Sequence, residues 1–130
     1  MTTGYAATLR NAQLDANTTF IGGGGKLRIY NGVRPATGGA ATTLLAEFTL
    51  ATPFAPASSG AVLSPTLPSA TTGLAAGTAS WFRVVKADGT TQCVDGDIAT
   101  TGSDMNLNTT TISSGVAVSV TAWTVTRGNA

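Results

Sequence analysis

Residues 79–94, ASWFRVVKADGTTQCV, decide the fold class. Trp81, Phe82, Val84 and Val85 put β-branched and aromatic groups on both faces of a short run. Ala87, Asp88 and Gly89 then turn the chain, and residues 90–94 run back as a hairpin partner. A strand that is apolar on both faces is expected at the centre of a sheet or beneath an interface. Outward from this hairpin the same period of two recurs. Leu27 and Ile29 alternate with Lys26, Arg28 and Tyr30, and the turn dipeptide Asn31-Gly32 closes that run. Leu44, Ala46, Phe48 and Leu50 line one face of a further strand, opposite Thr43, Glu47 and Thr49. Residues 62–67 form a short strand that Pro65 confines to a sheet edge. Met105 and Leu107 open another. Near the end, Val116, Val118 and Val120 face one way, whereas Trp123 and Val125 face the other, which predicts a bulge at Thr121 or Ala122.

Seven or eight short strands at this spacing predict an all-β chain, a single β-sandwich, with a jelly roll preferred over an immunoglobulin-like topology. One segment departs from the pattern. Leu9, Ala12, Ala16 and Phe20 recur at helical spacing within residues 6–20, and the poor helix formers Asn17, Thr18 and Thr19 predict an end near Ala16. Gly22, Gly23, Gly24 and Gly25 follow. The expected organisation is a mobile, helical or extended N-terminal arm with a glycine hinge over residues 1–25, and a β-sandwich over residues 26–130.

Composition narrows the function classes. At 130 residues the chain has one domain's length and can bury a core without staples. Charged residues are 10% of it, against roughly 25% in ordinary globular domains. Such a surface of hydroxyls and small side chains suits a protein packed against neighbours. The seven basic residues are scattered, so the clustered basic face of a nucleic-acid binder is not expected. No stretch approaches the ~20 apolar residues of a membrane helix, and the first 20 residues lack the apolar centre of a signal peptide. With no histidine, a lone Cys93 and a lone Glu47, neither a zinc site, a disulfide, a paired-carboxylate hydrolase nor a cysteine nucleophile is expected. We expect no enzyme activity, no cofactor and no metal. Asp95, Asp97 and Asp104 read as turn aspartates without the spacing of a calcium loop. The run of residues 22–26 fails as a phosphate loop, since Phe20 and Leu27 occupy positions that need glycine and a hydroxyl residue.

Three blocks carry a resemblance: KLRIYNGVRPATGGAATTLL at residues 26–45, TASWFRVVKADGT at 78–90 and DGDIATTGSDMNLNTTTISSG at 95–115. In that order they resemble a family of small proteins encoded in the structural modules of tailed bacteriophages and prophages, over most of the chain. The resemblance implies a capsid cement or decoration protein, a β-sandwich module on the outside of the phage head. Its partner would be the major capsid protein, and its site the virion surface, reached by assembly in the host bacterial cytoplasm. The expected contacts are Leu9, Leu14 and Phe20 on the arm and the loop 34–43, with Arg34 meeting a capsid carboxylate. Trp81 and Trp123 are further candidates, either for a partner or for sugar stacking, although packing is the plainer role of both. The two-faced strand also suggests a homodimer or homotrimer. The rival functions are a phage tail or neck component and a carbohydrate-binding surface module.

Overall fold

The computed structural model describes residues 4–126, which form one short helix and a curled, mostly antiparallel sheet with two small satellite ladders. The hairpin of residues 79–94 is its centre. Strand β5 (Gly77–Val85) pairs with β1 (Lys26–Asn31) on one side and with β6 (Gln92–Ala99) on the other. Beyond β1 lies β2 (Leu44–Thr49); beyond β6 lie β7 (Met105–Leu107) and β10 (Val120–Trp123). The β6–β7 pairing is parallel, and β8 (Thr111–Ile112) joins the first residues of β5. Two short ladders complete the element set: β3 (Val62–Leu63) with β11 (Val125–Thr126), and β4 (Thr71–Thr72) with β9 (Ala117–Val118). Strand β3 covers only Val62–Leu63 of the expected 62–67 and pairs with β11 outside the main sheet. The bulge near Thr121 is present: the β10–β7 register shifts between Val120 and Ala122, so Val120 and Trp123 both turn inward and are buried.

One face of the sheet carries the core. Leu27, Ile29, Phe48, Phe82, Val84 and Met105 are each at most 2% exposed there. Phe54 and Phe82 meet Trp123 edge-on, with centroids 5.2 and 5.6 Å away. Gly96 on β6 leaves space for the Phe82 ring, since a Cβ there would lie 2.5 Å from it.

The N-terminal segment differs from its expectation. Helix α1 runs Ala7–Ile21 rather than ending near Ala16. Asn17, Thr18 and Thr19 stay helical because the turn after them places Ile21 in the core, where it is 2% exposed, and burial outweighs weak propensity. Gly22 then stops the helix at φ 69°, its N–H donating to the Thr18 carbonyl. Nor is the segment a separate arm. Leu14, also 2% exposed, joins the same core cluster. Polar bonds fix the other contacts: the Ala61 N–H donates to Asn11 Oδ1 and the Ser58 N–H to Asp15 Oδ1, both at 2.8 Å, and the Ser58 hydroxyl donates to the Asn11 carbonyl. The glycine run is a packed joint, not a hinge. A Cβ on Gly25 would sit 2.8 Å from Ile21 Cγ2, and one on Gly23 would sit 2.9 Å from Thr52.

The β5–β6 turn is held by Asp88. The Thr91 hydroxyl, then the Thr91 and Thr90 N–H groups, donate to its carboxylate and lower its pKa from 3.8 to about 2. A depressed folded pKa stabilises the fold above the unfolded value and is lost as pH falls through the folded one. Asp88→Ala should therefore lower the melting temperature at pH 7, and the gap from the parent should narrow between about pH 4 and pH 2. Melting curves across that range check it; a gap independent of pH would mean the carboxylate charge contributes nothing.

Candidate functional site

The other face of the central strands carries the charge. In register, Glu47 on β2 lies beside Arg28 on β1, Arg28 beside Arg83 on β5, and Arg83 beside Asp95 on β6. The result is a row of four side chains across four adjacent strands, with the signs minus, plus, plus, minus. Period two explains the row: each residue alternates with core-facing neighbours such as Leu27, Phe48, Phe82 and Val94. Arg28 Nε donates to Glu47 at 2.8 Å. Arg83 grips Asp95 through two parallel bonds, Nε at 2.8 Å and Nη2 at 2.9 Å. Both side chains of this second pair are nearly inaccessible, at 5% and 2%.

Local electrostatics follow the pairing. The hydrogen bond to Glu47 raises the pKa of Arg28, and the bonds to Asp95 raise that of Arg83. Burial pushes the Asp95 carboxyl up, but the Arg83 bonds and the Gly38 N–H outweigh it and hold the group below its ordinary range. A buried ion pair stays ionised only with such compensation.

Aromatic packing and a loop cover this face. Tyr30 stacks on Trp81 with centroids 4.5 Å apart and planes 20° apart, and the Arg83 guanidinium lies 5.1 Å from the Trp81 ring centroid. Loop 34–43 folds over them. Trp81 Nε1 donates to the Asn31 carbonyl and to the Thr42 hydroxyl, each at 3.0 Å, while the Thr43 N–H donates to Asn31 Oδ1. The Gly38 N–H reaches Asp95 at 3.2 Å, pinning the loop to the charged row. Between this loop and the turn after β5 lies a cleft of about 310 Å³, floored by Arg28, Tyr30, Arg83 and Gln92.

The expected contact residues fall in different places. Leu9 and Phe20 are about half exposed, 48% and 50%, on α1. Eleven residues, about three helical turns, separate them, so they share one outward stripe. Lys86 Nζ lies 4.6 Å from the Phe20 ring centroid. Leu14 is a correction: it points into the core and offers nothing to a partner. Trp81 and Trp123 are corrections of the same kind, being 0% and 4% exposed on opposite faces of the sheet. Neither presents a ring for sugar stacking. The two-faced strand that suggested self-association is covered within the chain, by the core on one face and loop 34–43 on the other. Arg34 is exposed on that loop and faces a carboxylate of its own chain, Asp97, at 3.5 Å.

The aspartates diverge. Asp95 turns to Arg83, Asp97 to Arg34, and Asp104 accepts the Asp97 N–H at 3.0 Å. Among the described residues no three acidic, cysteine or histidine side chains gather as a metal site would require. Cys93 is half-buried in the β5–β6 bulge, and burial pushes its thiol pKa up. Sequence reading missed the charged row. Its available signal was an arginine in mid-strand twice, in KLRIY and WFRVV, each flanked by apolar residues. Compared with known proteins, the chain matches no family model, no curated protein and no solved structure.

Proposed function

We propose that this chain is a virion structural protein, a capsid decoration or cement protein that binds the outer surface of a phage head lattice and stabilises it across subunit boundaries. The partner is the major capsid protein, and the strands are arranged as a β-sandwich of jelly-roll type. The three-block sequence resemblance names the class. The observation that carries the reading structurally is helix α1: Leu14 and Ile21 anchor its inward face, while Leu9 and Phe20 stand half exposed along its outward stripe. Large apolar side chains ordered on a fixed helix suit a lattice contact, because little further entropy is lost when a partner covers them. A surface with few charges serves the same end, since fewer ions must be desolvated on docking.

The mechanism is binding energy alone. Each copy that bridges two subunits must be released before the lattice can open there, so the assembled shell gains stability from every occupied site. The test mixes the protein with heads of the encoding phage assembled without it. Co-sedimentation and electron cryo-microscopy should find hundreds of copies on the outer lattice. Leu9→Ser with Phe20→Ser should weaken attachment by roughly 10- to 100-fold, from about 1–3 kcal/mol of lost apolar burial, with the free protein's melting temperature unchanged. A ring of about a dozen copies or fewer at a vertex would assign the chain to the neck or tail instead. Full attachment by the double variant would remove α1 from the interface.

A further inference from the structure

The charged row has its two cations in the middle. Like charges directly opposite on neighbouring strands repel, and here neither carboxylate lies between them: Glu47 flanks Arg28 on one side, and Asp95 flanks Arg83 on the other. The field over the middle of the row is therefore positive, although the four charges sum to zero. A guanidinium carries five N–H donors. Among the described residues Arg28 donates from Nε to Glu47 and from Nη1 to the Gly89 carbonyl at 3.0 Å, and Tyr30 is a further hydrogen-bonding neighbour. The hydrogen bonds of Arg83 use three: two to Asp95 and, with the Gln92 amide turned so that both its ends are satisfied, Nη1 to the Gln92 oxygen at 3.2 Å. In that orientation the Gln92 nitrogen donates to the Gly38 carbonyl, also at 3.2 Å, so the cleft floor is tied to the loop above it.

We propose that the cleft over Arg28 and Arg83 is a binding site for a carboxylate presented by another protein molecule. Three properties select that class. The space, about 310 Å³, holds a side chain or a chain end and is at the small limit for an organic ligand. Its walls are the backbone of Gly38, Gly39 and Gly89 with Ala40 and Ala41, so no bulky group blocks entry. Each guanidinium is already paired with one carboxylate of its own, so the row is neutral overall, which favours a planar monoanion over a dianionic phosphate, its oxygens meeting the N–H groups those pairs leave over. The site is separate from the outward stripe of α1 and does not depend on the virion reading.

The test is an NMR titration of the full chain that follows the arginine Nε–Hε signals and the Gly38 and Gly89 amides. Acetate is compared with chloride and with inorganic phosphate at constant ionic strength. Nα-acetylglutamate amide and N-acetylglycine then distinguish a side-chain source from a chain end. Saturable shifts at Arg28, Arg83, Gly38 and Gly89 with acetate, absent with chloride, are expected. Arg28→Gln should weaken saturation at least tenfold. Ala40→Leu, an exposed position on the cleft wall, should do the same while leaving both ion pairs in place, so the result survives if Arg28→Gln fails to fold. Shifts that stay linear, that match those with chloride, or that persist in Ala40→Leu would overturn the site. Tighter saturation by phosphate than by acetate would overturn the ligand class.

Discussion

Arg83→Ala is expected to remove a large share of the stability of this fold. In the parent the Asp95 side chain is 2% exposed, and the substitution removes both guanidinium bonds to it, with the Gly38 N–H as its remaining donor among those described. Breaking a buried pair by deleting one partner costs about 3–5 kcal/mol, because the other charge is left uncompensated. Against a total of about 5–15 kcal/mol, that loss is roughly a third or more. With a urea slope of about 1.5–2 kcal/mol/M, the unfolding midpoint should fall by roughly 2 M.

Two further measurements separate the charge from the packing. Arg83→Met combined with Asp95→Leu should return to within about 1–2 kcal/mol of the parent, since apolar replacements of similar size remove both desolvation penalties together. Hydrogen exchange at the Gly38 amide should nevertheless quicken in the double variant, because loop 34–43 has lost its tie to Asp95. The pH dependence of the single variant supplies the other check. In the parent, Asp95 titrates below its ordinary value and contributes stability that disappears as pH falls. In Arg83→Ala, burial without the guanidinium raises the same group relative to the parent, so the variant's deficit should shrink as pH is lowered through about 4. A deficit below about 1 kcal/mol at pH 7, or one that grows in acid, would show that the pair is not buried in solution.

The hairpin and the bulge were legible in sequence because each depends on neighbours along the chain. Residues 79–94 state their own turn chemistry, and the phase change between Val120 and Trp123 shows directly as an extra residue. The charged row was not legible, for a register reason. A symmetric hairpin about residues 87–89 sets Arg83 against Cys93; the turn closes instead between Lys86 and Thr91, and the extra residue Cys93 in β6 adds the second step that brings Asp95 opposite Arg83. The roles of Trp81 and Trp123 were open for a different reason. An apolar strand face reads identically whether a partner or a loop of the same chain covers it, and loop 34–43 has little apolar content to announce that it folds back. Helix α1 was misjudged at its end because local propensity favoured a stop at Ala16, whereas the burial of Ile21 is a contact with strands distant in sequence.

Deleting residues 1–21 should prevent the remaining chain from folding stably, the opposite of what a mobile arm would do. The deletion takes Leu14 and Ile21, each 2% exposed, out of a core cluster that also includes Leu50, Phe54 and Leu63. Removing most of one such side chain costs about 2–5 kcal/mol, and two whole residues of this kind exceed the margin of an ordinary domain. Polar losses add to it: the Ser58 and Ala61 N–H groups lose Asp15 and Asn11 as acceptors. Ala61 is also held at φ 61°, a left-handed conformation costly for a residue with a Cβ, and its bond to Asn11 helps to keep it there. Leu14→Ala is the graded version and should lower stability by about 2–4 kcal/mol without abolishing the fold. Circular dichroism and urea unfolding of both variants check the expectation. A truncated protein that melts within a few degrees of the parent would return the helix to the status of an appendage. In that case the outward stripe of Leu9 and Phe20 would lose the fixed support on which its role as a contact surface depends.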